Sequence, residues 1–384
     1  MITGFRRENG KVGIRNHVVI LSAVVCANRV VEMISEQVPG VIPLTHQHGC
    51  SQIGRDKEQT VRTLAGIGKN PNVAATLIVG LGCETVQPED LAKEIGTTGK
   101  PVEYLIIQES GGTLNTVGKG AELARKMVAD ASQVQRAEIN LSDIILGTEC
   151  GGSDTTSGLA ANPATGYASD MLVESGATVI LSETTELTGT EHVLAKRAGS
   201  QEVADSIFSI VDRVEEESKR MGVDIRGGNP TPGNIEGGLS TIEEKSLGCI
   251  YKAGTKPILE VMEYGETPSQ KGLVVMDTPG QDIESISGMI AGGAQLIVFT
   301  TGRGTPTGSP IAPVVKICAN PSTVKTMVDN IDIDLSEMID GSKSLEEAGQ
   351  EIYQEYLQVI NGKQTRSEIF GHREFAIARI AITM

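Results

Sequence analysis

Residues 45 to 52 read Thr-His-Gln-His-Gly-Cys-Ser-Gln. In an extended segment alternate side chains share one face, so His46, His48 and Cys50 can present two imidazoles and a thiol together. That donor set suits a borderline metal such as Zn(II) or Fe(II). The same spacing also fits a hydrogen-bonding histidine beside a small buried thiol, with no metal. Cys26 and Cys83 strengthen the first reading, because each ends an apolar run as Cys50 does. Three thiolates gathered at one edge would hold either a mononuclear metal or an iron–sulfur cluster with one iron open. None of them forms a Cys-x-x-Cys pair, so spacing leaves that choice open.

The elements that must position these residues are short apolar runs between Gly-rich polar segments. HVVILSAVV, GVIPLTH, VAATLIVGLG, VEYLIIQ, DIILGT, ATVILSE, KGLVVMDT, AQLIVFTT and PVVKICAN read as strands. Most are continuous and β-branched, as expected of parallel sheets covered on both faces. AELARKMVADASQVQ and QEVADSIFSIVDRVEEESKRMG read as helices with one solvated face. The expected fold is α/β, with mostly parallel sheets, helices on both faces and two α/β domains, 1–135 and 136–384. Ligands of such sheets bind outside the carboxyl ends of the strands. Those ends carry Cys26, His46 to Cys50, Cys83, Gln108 to Gly112, Glu149 to Asp154, Glu183 to Glu186, Asp277 to Gly280 and Thr301 to Gly304. The stretch 226 to 248, RGGNPTPGNIEGGLSTIEEKSLG, reads as a long functional loop.

The composition bounds the partners. The chain has 384 residues and a formal net charge of −16, which excludes nucleic acid and anionic membranes, since both require a basic face. A small metabolite fits better. No leader pattern opens the chain and no uncharged run reaches bilayer length, so a cytoplasmic protein is expected. Six cysteines are too sparse for a disulfide framework. No phosphate-binding Gly-x-x-x-x-Gly-Lys-Ser/Thr accompanies the DTPG of 277 to 280, and no Gly-x-Ser-x-Gly elbow occurs. TGRGTPTGSP could cradle an anion through backbone amides and Arg303, or be a glycine-rich turn with a surface arginine. Lys245 and Glu186, taken singly, fit a salt bridge or a helix cap as well as catalysis.

GFRRENGKVGIRN, HGCSQIG, GLGCE, QESGGT, ECGGSDTTSGLAANPATG, SETTEL, NPTPGNIEGGLSTIEEKSLG, MDTPGQD and FTTGRGTPTG occur in this order. Together they resemble the altronate/galactarate dehydratase family from about residue 4 almost to the C-terminus. The resemblance implies a lyase that removes water from a sugar acid to leave a 2-keto-3-deoxy acid, with a divalent metal, most often Fe(II), or an iron–sulfur cluster. Removing a proton next to a carboxylate requires stabilisation of the enediolate and an acid for the leaving hydroxyl.

The resemblance carries an expected site with it. Cys26, Cys50, Cys83 and His46 would hold the metal, and Glu186, His48 and Lys245 would handle protons, with Glu186 the base. Gln108, Glu109, Gly111, Gly112, Asp154, Asn162, Asn234 and Arg303 would bind substrate. Longer family members begin with a further small domain, so a separate small subunit completing the site is expected, in an oligomeric assembly. SDTTSG, ETTELTGTEH and GHREFAIARI look closer to the large subunit of (2R)-sulfolactate sulfo-lyase, which releases sulfite instead of water. A sugar-acid-binding sensor is the non-enzymatic alternative.

Overall fold

The structure is a computed structural model that describes residues 2 to 382. A small antiparallel sheet comprises β1 (Thr3–Arg6), β2 (Val12–Gly13) and β7 (Ala137–Glu138), in the order β2-β1-β7. The first parallel sheet is formed by β3 (His17–Ser22), β4 (Val41–Leu44), β5 (Val73–Gly80) and β6 (Val102–Ile106), in the order β4-β3-β5-β6. The second is formed by β8 (Ile145–Gly151), β9 (Thr178–Leu181), β10 (Ile258–Met262), β11 (Leu273–Met276), β12 (Leu296–Thr301), β13 (Val314–Cys318) and β14 (Ile333–Asp334). Its order is β10-β11-β9-β8-β12-β13-β14, with every neighbouring pair parallel. All nine expected strands exist, each shortened or shifted by a few residues. The α/β expectation therefore holds.

Strand alternation builds a layered core. Val18 and Ile20 of β3 pack with α1 (Asn28–Gln37) and α4 (Thr113–Ser132), through Ile34, Val117 and Ala124. Val19 and Leu21 face the other way, toward α2 (Gly54–Lys69) and α3 (Pro88–Gly96). The same cluster takes in Ile180, Val274, Ile297 and Phe299 of the second sheet, and Ile286, Met289 and Ile290 of a helix over Asp282–Ala291. The two sheets thus share a middle layer of helices. The far face of the second sheet packs on a helix over Asn162–Glu174, another over Gln201–Arg220 and a third over Leu345–Ile360, through Leu172, Ile207 and Tyr356. Each of the buried Val, Leu, Ile, Met and Phe side chains among them contributes about 1.5–3 kcal/mol of burial free energy.

Buried asparagines tie the sheets together. Asn70 donates to the carbonyls of Ile290 and Ala294, and Asn72 to those of Gln295 and Ile311. Residues 226 to 248 depart from the loop reading, because two further helices form there. Thr231 caps Pro232–Glu236 and Thr241 caps Ile242–Ile250, each side chain accepting from a backbone N–H in the first turn. Lys245 and Cys249 consequently sit one helical turn apart on a capped helix, with defined directions.

Candidate active site

The expected site residues separate into groups at the carboxyl ends of the two sheets. At the first, Cys26 follows β3, Cys50 follows β4 and Cys83 follows β5, on adjacent strands, and all three thiols are free and exposed. Gly49 makes this edge possible. Its φ is +102°, and a Cβ there would lie 2.2 Å from the Ala23 carbonyl oxygen, so only glycine lets the Cys50 loop close against the end of β3. Gln108 and Glu109 are exposed on the same edge. A Cβ on Gly82 would meet the Gln108 side chain at 2.5 Å, which places Gln108 beside the Cys83 loop. Gly111 and Gly112 turn the chain into α4 with φ of +83° and +88°.

His46 does something other than expected. Its Nε2 lies 2.7 Å from the Ser22 carbonyl and its Nδ1 accepts the His48 backbone N–H at 3.0 Å. Both ring nitrogens are engaged, leaving no lone pair for a metal, and burial lowers its pKa to about 4. His46 is therefore a neutral histidine that shapes the loop, with both ring nitrogens turned to the backbone and not toward the thiols' edge as a free ligand. Pairing alternate residues on one face took no account of the backbone groups that claim the ring. His48 turns its Nε2 to the Ile377 carbonyl at 3.2 Å and leaves Nδ1 buried without a partner.

Among the described residues, two groups of three or more metal-type side chains bring ligand atoms within 4.8 Å of one another, Cys150–Glu183–Cys249 and Glu149–Glu183–Asp282. Cys26, Cys50 and Cys83 form no such group, which counts against a mononuclear thiolate site. A cluster places its own iron and sulfide atoms between the ligands and does not require that closeness. The exposed thiols on neighbouring strand ends fit a cluster in this respect.

At the second sheet, a cleft of about 990 Å³ opens beside the ends of β9, β10 and β11. Glu186 and Lys245 line it, with Thr185, Asn229, Asp277, Thr278, Arg55 of α2, Arg213 and Arg379. Lys245 Nζ lies 2.9 Å from Glu186 Oε1 and 3.0 Å from Asn229 Oδ1, and Asn229 Nδ2 donates to Glu186 Oε1 at 3.1 Å. Oε2 of Glu186 is buried and has no partner. Burial alone would lower the Lys245 pKa, but the charge and hydrogen bond of Glu186 more than offset it, so the ammonium is held charged. Arg213 and Asp277 are in direct contact on the cleft wall.

Behind this pair lies a cluster absent from the expected site. Glu183, at φ +66°, is a non-glycine residue in the left-handed region, a conformation that persists only when its surroundings hold it. Its N–H donates to Thr278 Oγ1 at 2.7 Å, and its carboxylate takes Lys252 Nζ at 2.6 Å and the Cys150 N–H at 3.0 Å. Lys252 also reaches Cys249 Sγ at 2.7 Å and Cys150 Sγ at 3.4 Å, and the two sulfurs are 3.6 Å apart. Burial and neighbouring Glu183 push Glu149 well above the carboxylate range, and the same causes raise Asp282 to about 7. Only the Glu-Cys and Glu-Thr-Thr-Glu strand ends hinted at this cluster. Lys252 lies past the helix end, with no motif of its own.

Of the remaining expected contacts, Asp154 accepts from Thr156, Ser157 and Asn320, and Asn162 bonds Gly248 and Thr300. Asn234 bonds Ser153 and Thr231. These three residues spend their polar atoms on fixing loops and do not line the large cleft; Asp154 and Asn162 border a smaller cavity of about 190 Å³, which Lys245 also lines. Arg303 is exposed and pairs with Glu236 at 2.9 Å.

Comparison with known proteins accords with this architecture. The model of the D-galactarate dehydratase/altronate hydrolase second domain matches residues 4–132, and that of the D-galactarate/altronate dehydratase C-terminal domain matches residues 141–383. The (2R)-sulfolactate sulfo-lyase subunit beta of Chromohalobacter salexigens is 41% identical over 379 residues, covering 98% of this chain and 97% of its own. The altronate dehydratase of Bacillus subtilis is 34% identical over 392 residues, 99% of this chain and 78% of its own. The galactarate dehydratase (L-threo-forming) of Escherichia coli is 36% identical over 326 residues, 83% of this chain and 62% of its own. The chain belongs to the D-galactarate/altronate dehydratase family of lyases.

Proposed function

We propose that the chain is the large subunit of a lyase that removes the α-proton of a hydroxy acid and expels its β-substituent, with the cleft at Glu186 and Lys245 as its active site. The observation that carries this reading is the asymmetry of the Glu186 carboxylate. Oε1 is occupied by Lys245 and Asn229, while Oε2 keeps its lone pairs for a substrate proton. Lys245, held charged, stabilises negative charge as it develops on the substrate carboxylate. The cleft is large enough for a sugar acid, and Arg55, exposed at its edge, is suited to a substrate carboxylate. Dehydration of a sugar acid to a 2-keto-3-deoxy acid is the first reading, in line with the dehydratase relatives.

Release of sulfite from (2R)-sulfolactate is the second reading. It is favoured by the sulfo-lyase subunit, which is 41% identical to this chain against 34% and 36% for the dehydratases. That relative is named as one subunit, which supports a separate small partner here. The chain's cofactor would be a divalent metal or an iron–sulfur cluster, and as a cluster it would be held by Cys26, Cys50 and Cys83. Bound there, iron would supply a Lewis acid for the leaving oxygen. The Cys50 loop leads directly into α2, whose Arg55 and Gln59 line the cleft. Six free cysteines suit a reducing compartment, in support of a cytoplasmic location, and no described helix is long and apolar enough to cross a membrane.

The test supplies altronate, galactarate and (2R)-sulfolactate separately to anaerobically purified protein with iron(II). Keto acid is read as its semicarbazone and sulfite by a thiol-exchange dye. Keto acid from a sugar acid, lost in Glu186→Gln, supports the first reading. Sulfite with the same dependence supports the second. Turnover that survives Glu186→Gln removes the assignment of the base.

A further inference from the structure

The cluster behind the Glu186–Lys245 pair gathers three carboxyl groups around one ammonium. Glu149, Glu183 and Asp282 bring carboxylate oxygens within 4.8 Å of one another. Glu149 and Glu183 are 0% and 1% exposed, and the one ammonium among them, Lys252, is 0% exposed and is shared with both thiols. Three carboxyl groups crowd one ammonium in a site nearly closed to water, so the group is relieved either by protons on the acids or by a bound cation. One oxygen of the group is left without a partner. Oε2 of Glu149 receives the Ser285 hydroxyl at 2.6 Å and the Ser182 hydroxyl at 3.3 Å, while Oε1 is fully buried with no partner.

The sulfur side of the cluster is already filled, because Lys252 Nζ occupies the position between Glu183, Cys249 and Cys150. No ammonium reaches the unpartnered oxygen of Glu149 on the oxygen side. That side offers carboxylates from the end of β8, from the left-handed turn after β9 and from the first residue of the helix Asp282–Ala291, three rigid positions that fix a ligand geometry. Oxygen ligands select hard or borderline cations over soft ones. We propose that Glu149, Glu183 and Asp282 form a divalent cation site of the Mg(II), Mn(II) or Fe(II) class, distinct from the cysteines of the first sheet. The ion anchors the strained turn at Glu183 and so sets the position of Glu186, three residues on. Glu183, Glu149 and Asp282 act here as metal ligands and positioning residues, without touching substrate. The site stands independently of which group the enzyme expels.

The test uses the full chain stripped with chelator and titrated with Mn(II), following the loss of the free-ion electron paramagnetic resonance signal and the melting temperature. Wild type is expected to bind a single ion per chain and to melt higher with it. Glu149→Gln and Asp282→Asn should each weaken binding about tenfold or more, as loss of a metal-site partner does. Cys50→Ser should leave the Mn(II) titration unchanged, which separates this site from any thiolate site. Asp282 is partly exposed, so its variant keeps the test open if Glu149→Gln fails to fold. Absence of stoichiometric Mn(II) binding by wild type, or wild-type affinity in the folded Asp282→Asn variant, overturns the proposal. A Glu149→Gln protein that melts higher than wild type while wild type shows no response to Mn(II) also overturns it, and assigns the relief to a proton shared between Glu149 and Glu183.

Discussion

Lys245 Nζ stands 2.9 Å from one carboxylate oxygen of Glu186, while the other oxygen of the same group is buried and unpartnered. An ion pair formed only for stability would satisfy both oxygens, since a buried lone pair left unmade costs about 1–3 kcal/mol. A carboxylate held by one oxygen and unpartnered at the other has lone pairs left to take a proton, as the proposed base requires. Glu186→Gln keeps the shape of the side chain but removes the proposed base. It should lower kcat about a hundred- to ten-thousand-fold with little change in KM, measured by keto acid or sulfite release.

Lys245→Met tests the other half of the pair. It removes the charge that balances Glu186, so the carboxylate becomes a buried unpaired anion, at a cost of about 3–5 kcal/mol. Both the urea midpoint and turnover should fall. The double variant Lys245→Met with Glu186→Gln should recover much of the lost stability and none of the activity. A double variant as unstable as the single one would show that the two side chains are not energetically coupled.

Iron content separates the readings of the first sheet. If Cys26, Cys50 and Cys83 hold a cluster, anaerobically purified wild type carries iron with matching acid-labile sulfide, and Cys50→Ser or Cys83→Ser loses most of both. Iron without sulfide would rule out the cluster. Wild-type iron and turnover in both variants would remove these cysteines from the metal assignment altogether.

The stability of the His46 loop should depend on pH. Burial holds His46 at about 4, below its unfolded value near 6.5. Between these values the unfolded chain binds a proton that the native histidine refuses, so His46 lowers stability as the pH falls from about 6.5 toward 4, by up to about 3 kcal/mol. The raised carboxyl groups of Glu149 and Asp282 act in the opposite sense, and a comparison of wild type with His46→Gln at each pH cancels their contribution. Urea midpoints at neutral and acidic pH should converge between the two proteins as the pH drops. Parallel curves would contradict a neutral, buried His46.

Gly49→Ala probes the turn that brings Cys50 to the strand ends. At φ +102°, with a Cβ position 2.2 Å from the Ala23 carbonyl oxygen, alanine is both strained and obstructed. A loss of about 1–3 kcal/mol is expected, together with greater accessibility of Cys50 to a thiol reagent. An unchanged melting temperature would mean that the loop adopts another conformation in solution.

The sequence alone determined the repeating grammar of this protein. Continuous β-branched runs such as VAATLIVG have a buried strand as their only economical conformation, and polar residues collect at the ends of such strands because the interior has no place for them. It also determined the family, since blocks such as ECGGSDTTSGLAANPATG are long and unusual. It placed Glu186 and Lys245 among the candidates without pairing them. What only tertiary structure decided was which candidates meet. Glu186 and Lys245 are 59 positions apart, and Cys150 and Cys249 are 99 apart, so their encounters depend on β9 lying beside β8 and on the register of a helix that the local sequence disguised as a loop. His46 looked available for a metal until the Ser22 carbonyl and the His48 N–H took its nitrogens, and Lys252 carried no local signal. The physical reason is range. Propensity and periodicity act within a few residues, whereas the charge balance of a buried cluster is set by side chains that the folded sheets bring together from distant parts of the chain.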